Sequence, residues 1–316
     1  MNFTLNVLGT ASAKPSANRN SSAQVLDVRG RLFLIDCGEG AQRQFCRQHL
    51  SFERVDAIFI SHIHGDHIFG LFGLLSTLGL ATRRAGIRIF GPNSLGPVLK
   101  FFLSYFGEQL GITIDFTPVK AKSPEVIFEN KFLTVEAFPL NHRIETYGYL
   151  FREKTPQLNV RKAAIEEYGL GIAEICSLKN GEDLVRTDDD GSPELRVPNE
   201  ELTYLPYRPR AFAYCSDTAP FPELPTWVRD VDLLYHETTY MAGLEKEAAA
   251  RYHSTTLQAA QCALNAGAGK LIAGHYSSRY RDTAALLAEL RSVFPNSFAA
   301  NDGDVFDVPL DKRAEQ

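Results

Sequence analysis

Three histidines and an aspartate fall within six residues, in Ser61-His62-Ile63-His64-Gly65-Asp66-His67, directly behind the apolar run 57–60. A short apolar run of this kind reads as a buried strand. The chain must therefore adopt a fold in which one strand end feeds a tight turn, which Gly65 suits, and aims several polar side chains at one point. Imidazole and carboxylate are the usual nitrogen and oxygen ligands of zinc. With two metals about 3.5–4 Å apart, as in two-metal hydrolytic sites, one set of ligands can serve each ion. The plain alternative is a solvated loop that is rich in histidine by chance. It sits poorly behind a buried strand.

The rest of the composition bounds what such a site can belong to. With 316 residues and 44% hydrophobic content, the chain can bury a sizeable core without cross-links. Lys and Arg total 33 against 38 Asp and Glu, a net charge of −5. That balance excludes a generally basic nucleic-acid binder, so a polyanionic partner has to be met by metal ions or a local basic patch. The longest apolar stretch, 68–81, is interrupted by glycines and is too short to span a bilayer, so no membrane association is expected. Residues 1–9 carry no secretory signal, and the five scattered cysteines contain no CxxC. Both features read as a cytoplasmic protein with reduced thiols.

Strands are expected at 2–8, 25–28, 32–35, 57–60, 87–90, 112–116, 126–128, 132–138 and 147–151, and again at 211–215, 232–236, 270–273 and 305–308. Helices are expected at 40–48, 68–83, 255–266 and 282–293. Strands and helices alternate at both ends of the chain, so the class is α/β. Between 152 and 210 apolar periodicity weakens and prolines and the run Asp188-Asp189-Asp190-Gly191 appear. The chain is read as one domain, 1–316, with 152–210 as a surface arm inserted into it.

The histidine run resembles the signature of the metallo-β-lactamase superfamily. That resemblance implies a four-layer αββα sandwich with further ligands just past later strand ends. Candidates are His142, Asp217 and His275, each a few residues beyond an expected strand. Finer motifs are similar to those of the ribonuclease Z family, the endonucleases that remove 3′ trailers from precursor tRNA. They are the stretch IDCGEGAQRQ at 35–44, SHIHGDHIFGLFGLL at 61–75, the run 214–218, HETTY at 236–240, HST at 253–255 and HYSSRY at 275–280. They occur in the family's order over most of the chain outside the arm.

This resemblance implies two zinc ions per chain. His62, His64 and His142 would bind one, Asp66, His67 and His275 would contact the other, and Asp217 would bridge them. Asp66 would orient or deprotonate the attacking water as general base. Protonated His253 would donate to the scissile phosphate or the leaving ribose oxygen, held by Glu237. A structural His–Glu hydrogen bond is the alternative for that pair. Asp36 would support the histidine loop from behind the ligands, the alternative being an ordinary turn aspartate. His236, beside Glu237 on a strand, should point the other way and is read as non-catalytic. His49, at the end of a polar helix, is read as solvated. The loop 14–22 resembles one that senses the tRNA 3′ end, with Ala17 where the family often has lysine.

In the family the arm grips the tRNA body. Here six basic residues from Arg152 to Arg186 meet six acidic ones, and Arg161 with Lys162 is the nearest thing to a basic cluster. The implied partners are precursor tRNA and a second copy of the chain in a cytoplasmic homodimer. Two other functions compete. One is a hydrolase of small phosphodiesters or related esters on the same fold, which would need no arm. The other is a non-catalytic RNA-binding or scaffold protein on a dead hydrolase fold, against which the intact ligand set argues.

Overall fold

A computed structural model of the chain describes residues 1–81, 86–188, 190–191 and 193–311. Two compact units emerge, Met1–Arg152 with Arg210–Pro309, and Glu153–Pro209 with Leu310 and Asp311.

The larger unit is built on two seven-stranded sheets. The first runs Val305–Asp307, Phe3–Gly9, Ala23–Val28, Arg31–Ile35, Val55–Phe59, Gly86–Pro92, Thr113–Val119. The second runs Ser297–Ala299, Lys270–Gly274, Leu233–Glu237, Ala211–Cys215, Tyr147–Glu153, Leu133–Pro139, Glu125–Glu129. From Arg31–Ile35 to Thr113–Val119 the first sheet is parallel, as is the second from Ala211–Cys215 to Ser297–Ala299.

Alternation along each strand sorts side chains into layers. Phe33, Ile35, Ala57 and Phe59 from the first sheet meet Phe151, Phe212, Tyr214, Leu233 and Tyr235 from the second in one core. The intervening Leu32, Leu34 and Ile58 face outward, onto helices Ala41–Arg47, Leu71–Ala81 and Leu95–Phe106. On the opposite side Ala213, Cys215, Leu234 and Leu271 pack on helices Thr256–Ala266 and Ala284–Val293. The result is the four-layer αββα sandwich. Phe59, the last residue of its strand, is fully buried and lies 5.1 Å from Phe90, 5.2 Å from Phe151 and 5.4 Å from Tyr149 between ring centroids. Contacts of this type add about 0.5–1.5 kcal/mol each beyond area burial. They anchor the strand at the point where it releases the histidine run.

The helices that cover the first sheet depart from expectation in two places. The helix expected at 68–83 is two pieces, a turn Gly65–Ile68 and Leu71–Ala81, and Arg83 lies outside the described residues. The break falls at Gly70, whose N–H donates to the Cys37 carbonyl at 2.9 Å and where a Cβ would lie 2.1 Å from the Gly38 carbonyl oxygen. Close backbone approach, which periodicity does not report, interrupts the helix there. Gly65 itself has no positive φ, so the turn does not draw on its conformational freedom. Helix Leu95–Phe106 was not anticipated. Gly96 and Pro97 mask its start, although Leu95, Val98, Leu99 and Phe102 follow helical spacing and pack inward.

Among the described residues no helix is long and apolar enough to cross a membrane. All five cysteines are free thiols.

The smaller unit has a core of its own, made by Ala164, Leu170, Leu178, Leu184, Val197 and Leu202. Helices Lys162–Tyr168 and Ile172–Lys179 join through Gly169, which takes the left-handed conformation at φ 57°. Strands Leu184–Thr187 and Pro193–Val197 pair antiparallel around the acidic run, of which Asp189 lies outside the described residues. Arg186 pairs with Glu174 at 2.8 Å and Arg196 with Asp183 at 3.1 Å.

Candidate metal centre

All seven candidate ligands converge beyond the carboxyl ends of the strands, the edge at which open parallel sheets place their ligands. His62, His64, Asp66 and His67 follow Val55–Phe59, Asp217 follows Ala211–Cys215, His275 follows Lys270–Gly274, and His142 follows Leu133–Pro139. Their donor atoms form two clusters. His62, His64, His142 and Asp217 make the first, with His62 Nε2 2.9 Å and His142 Nε2 3.4 Å from His64 Nδ1, and Asp66, His67 and His275 make the second.

Asp217 connects them. Its Oδ2 lies 3.7 Å from His62 Nε2 and 3.9 Å from His142 Nε2. Its Oδ1 lies 3.5 Å from His67 Nε2 and 3.2 Å from His275 Nε2. Asp66 Oδ2 closes the second cluster at 3.6 Å from His67 Nε2 and 3.4 Å from His275 Nε2. Tetrahedral ligands about 2.0–2.2 Å from a zinc ion stand roughly 3.3–3.6 Å from one another. The second cluster has close to that spacing, and the first brackets it. His67 Nε2 and Asp217 Oδ1 are buried with no hydrogen-bond partner, and both face the second cluster. A cation seated there would satisfy both, so the residues fit the group.

Nearly every ligand is held from behind. Asp36, fully buried at φ 55°, accepts from Ser61 N at 2.7 Å, Ser61 Oγ at 2.8 Å, Tyr214 Oη at 2.7 Å and His67 Nδ1 at 2.8 Å. Ser61 Oγ in turn lies 3.0 Å from His62 Nδ1. His142 Nδ1 donates to the Tyr252 carbonyl at 2.9 Å, and His275 Nδ1 stands 2.9 Å from Thr239 Oγ1. Fixing the second nitrogen of an imidazole selects the tautomer and leaves the first free for a metal. His275 sits at φ 58°, a conformation that costs a non-glycine residue about 1–3 kcal/mol and tends to be kept at functional sites.

The charge balance points the same way. Burial works to remove the proton from His67, but the carboxylates of Asp66, Asp217 and Asp36 outweigh it and raise its pKa to about 10. Burial works to neutralise Asp66, yet His67 and His275 hold it well below the usual carboxylate range. His62 is driven well below the ordinary imidazole value by burial and then by the surrounding imidazoles. The pocket thus favours positive charge beside Asp66 and Asp217 and a neutral ring at His62, the state a metal requires of a ligand.

Glu237 and His253 lie beside the ligands. Buried Glu237 accepts from Ser254 N at 2.8 Å, Thr218 N at 3.2 Å and His253 Nδ1 at 3.1 Å through Oε1, and from Thr239 N at 2.9 Å and Thr239 Oγ1 at 2.7 Å through Oε2. His253 Nδ1 is 4.0 Å from Asp217 Oδ2. Burial opposes charge on both partners, but each stabilises the other's ionised form. The His253 imidazole is shifted up and the Glu237 carboxyl down.

A cleft of about 630 Å³ exposes His64, Asp66, His142, Asp217 and His253. Arg143 and Arg251, both exposed, line it as well, a local pair of cations on an acidic chain. So does Pro15 of the loop 14–22, and the neighbouring Ala13 N–H donates to Asp66 Oδ2 at 2.7 Å. His49 is exposed, and His236 lies on the helix-covered side of its strand, lining a different groove.

Thr239, Tyr214 and Tyr252 had no assigned part. Thr239 and Tyr214 lie inside motifs read from the sequence, but their role is to hold other residues, and that depends on partners distant in the chain. Tyr252 acts through its carbonyl, which leaves no mark on the sequence.

A family model described as Anti-Pycsar protein Apyc1 matches residues 3–155. Ribonuclease Z of Porphyromonas gingivalis strain W83 is 42% identical over 300 residues, covering 95% of this chain and 97% of that protein. Ribonuclease Z of Cytophaga hutchinsonii is 41% identical over 308 residues, covering 98% and 97%. The crystal structure of the short form of human tRNase Z shares the fold, with a TM-score of 0.70 and 24% identity over 97% of this chain and 99% of that one.

Proposed function

The chain belongs to the ribonuclease Z family of the metallo-β-lactamase superfamily, and we propose that it is a two-zinc endoribonuclease that removes the 3′ trailer from precursor tRNA. It is a metal-dependent phosphodiesterase acting on RNA. The observation that carries the reading is the single carboxylate of Asp217, with Oδ2 toward one histidine cluster and Oδ1 toward the other. His62, His64 and His142 would hold one zinc, and Asp66, His67 and His275 the other. Bound there, the ions would acidify water into the neutral range and offset the charge of a phosphodiester.

The chain's own residues divide the proton work. Asp66, kept ionised, accepts a proton from the attacking water on its carboxylate. His253, kept protonated by Glu237 at Nδ1, donates from Nε2 to the leaving ribose oxygen. The water oxygen bonds to phosphorus as the phosphorus–ribose oxygen bond breaks, so the proton taken at Asp66 is matched by the one given at His253. Arg143 and Arg251 supply positive charge beside the phosphate path. The unit Glu153–Pro209 is read as the grip on the tRNA body. The family likeness further implies a cytoplasmic homodimer, for which the exposed Phe101, Tyr105 and Phe106 of one helix offer an apolar face.

Elemental analysis together with incubation on a precursor tRNA, and on the same tRNA ending in CCA, tests this reading. Two zinc ions per chain and release of the trailer are expected. The CCA-ending substrate reports whether the loop 14–22, with Ala17, protects mature ends. A metal-loaded protein that hydrolyses a small phosphodiester and leaves the precursor intact would overturn the tRNA assignment. Sedimentation velocity tests the dimer.

A further inference from the structure

A second groove, of about 400 Å³, opens between residues 220–225 and helix Thr256–Ala266. Three prolines, Leu224 and the Phe221 ring form its apolar wall, and no residue lining it carries a formal charge. His236 lies within it although only 2% of the residue is exposed. Its Nδ1 donates to the Glu237 carbonyl at 2.8 Å, which makes Nε2 the acceptor of a neutral ring. Nε2 has no hydrogen-bond partner among the described residues. The amides of Gln261 and Asn265 stand on the rim.

We propose that this groove is a nucleobase site. An aromatic ring among prolines is a platform for a flat heterocycle. A buried acceptor asks for an N–H donor, and amides on the rim can meet the remaining edge of a base. The uncharged lining rejects a phosphate as the recognised group. The volume lies within the ordinary range for small-ligand pockets.

The groove and the candidate active site are lined by successive residues of the chain, Ser254 in the groove and His253 in the cleft. Pro220 lies three residues beyond Asp217, about 10 Å at most along the chain. Ser254, which also lines the groove, ties Glu237 Oε1 through its N–H and the Thr218 carbonyl through its hydroxyl at 2.7 Å. The base can come from an unpaired trailer nucleotide, a source that rests on the tRNA reading, or from a free nucleoside, which does not.

The test uses the full-length, metal-loaded protein. Adenosine and uridine are titrated by calorimetry, with ribose as the control. Saturable binding of the nucleosides and none of ribose is expected. His236→Phe should weaken it about tenfold or more, the usual consequence of losing a buried acceptor. Because a change at His236 risks the fold, Gln261→Ala on the exposed rim is the second variant, with a few-fold loss expected. Precursor tRNAs carrying an abasic residue at successive trailer positions separate the sources. A rise in KM at unchanged kcat in the parent protein, smaller in Gln261→Ala, identifies the trailer. Nucleoside binding with no abasic effect identifies a free ligand, and that result stands even if tRNA processing fails. No saturable nucleoside binding to folded protein overturns the proposal.

Discussion

The metal centre and the unit Glu153–Pro209 hold their charges in opposite ways. At the centre Asp36, His62, His67, Asp217 and Glu237 are buried, and each polar atom is bound or faces the ion clusters. In the smaller unit two ion pairs lie at the surface. Arg186 and Glu174 pair with side chains 37% and 30% exposed, and Arg196 and Asp183 with 72% and 33%. Charges out of water interact strongly and stay where the fold puts them. Exposed pairs are screened by salt and contribute little. The first arrangement can move protons on one bond, whereas the second can only add weak, distributed contacts to a large substrate.

The sharpest test of that contrast is Asp66→Ala. Turnover of precursor tRNA should fall about 10⁴-fold or more, at the top of the range for losing an acid–base group, while tRNA binding by gel shift is largely kept. Near-parental turnover with unchanged metal content would remove Asp66 from the proton path.

His253→Ala should lower turnover by about 10²–10⁴-fold with metal content preserved. Glu237→Gln should act in the same direction, and the double variant should lose less than the two effects combined, because the pair works as a unit. The sign of the pH dependence follows from the raised His253 imidazole. Its proton is present at neutral pH and is lost as pH rises, so kcat should fall on an alkaline limb above the ordinary value of about 6.5. In Glu237→Gln that limb should move down toward the ordinary value. Full additivity, or an unmoved limb, would return the pair to a structural role.

Asp36→Asn keeps the shape and removes the charge behind Ser61 and His67. Metal affinity, measured by competition with a chelator, should drop about 10–100-fold. Unchanged affinity would make Asp36 an ordinary turn residue.

Replacing 153–209 by a short Gly/Ser linker should raise KM for precursor tRNA about tenfold and spare hydrolysis of a small phosphodiester. The salt dependence of binding should flatten by about one unit of log–log slope per lost phosphate contact. Unchanged affinity would assign the grip elsewhere. The smallest effect is expected for Arg186→Gln, which breaks one exposed pair and should change KM less than about twofold.

The sequence carried the fold class and the ligand types because both follow local rules. The unbroken apolar runs 32–35 and 57–60 mark strands buried on both faces. The run 61–67 places four candidate ligands on one strand end, and motif order ties Asp217, His253 and His275 to it. The break at Gly70 was not legible, because it depends on the backbone of residues 37 and 38, over thirty positions away. The four bonds onto Asp36, the carbonyl of Tyr252 behind His142 and the threonine between Glu237 and His275 were not legible either. Composition and spacing name which groups are able to bind a metal. Only packing two sheets face to face decides which oxygen of Asp217 meets which histidines, because that distance is set by side chains distant in the chain and close in space.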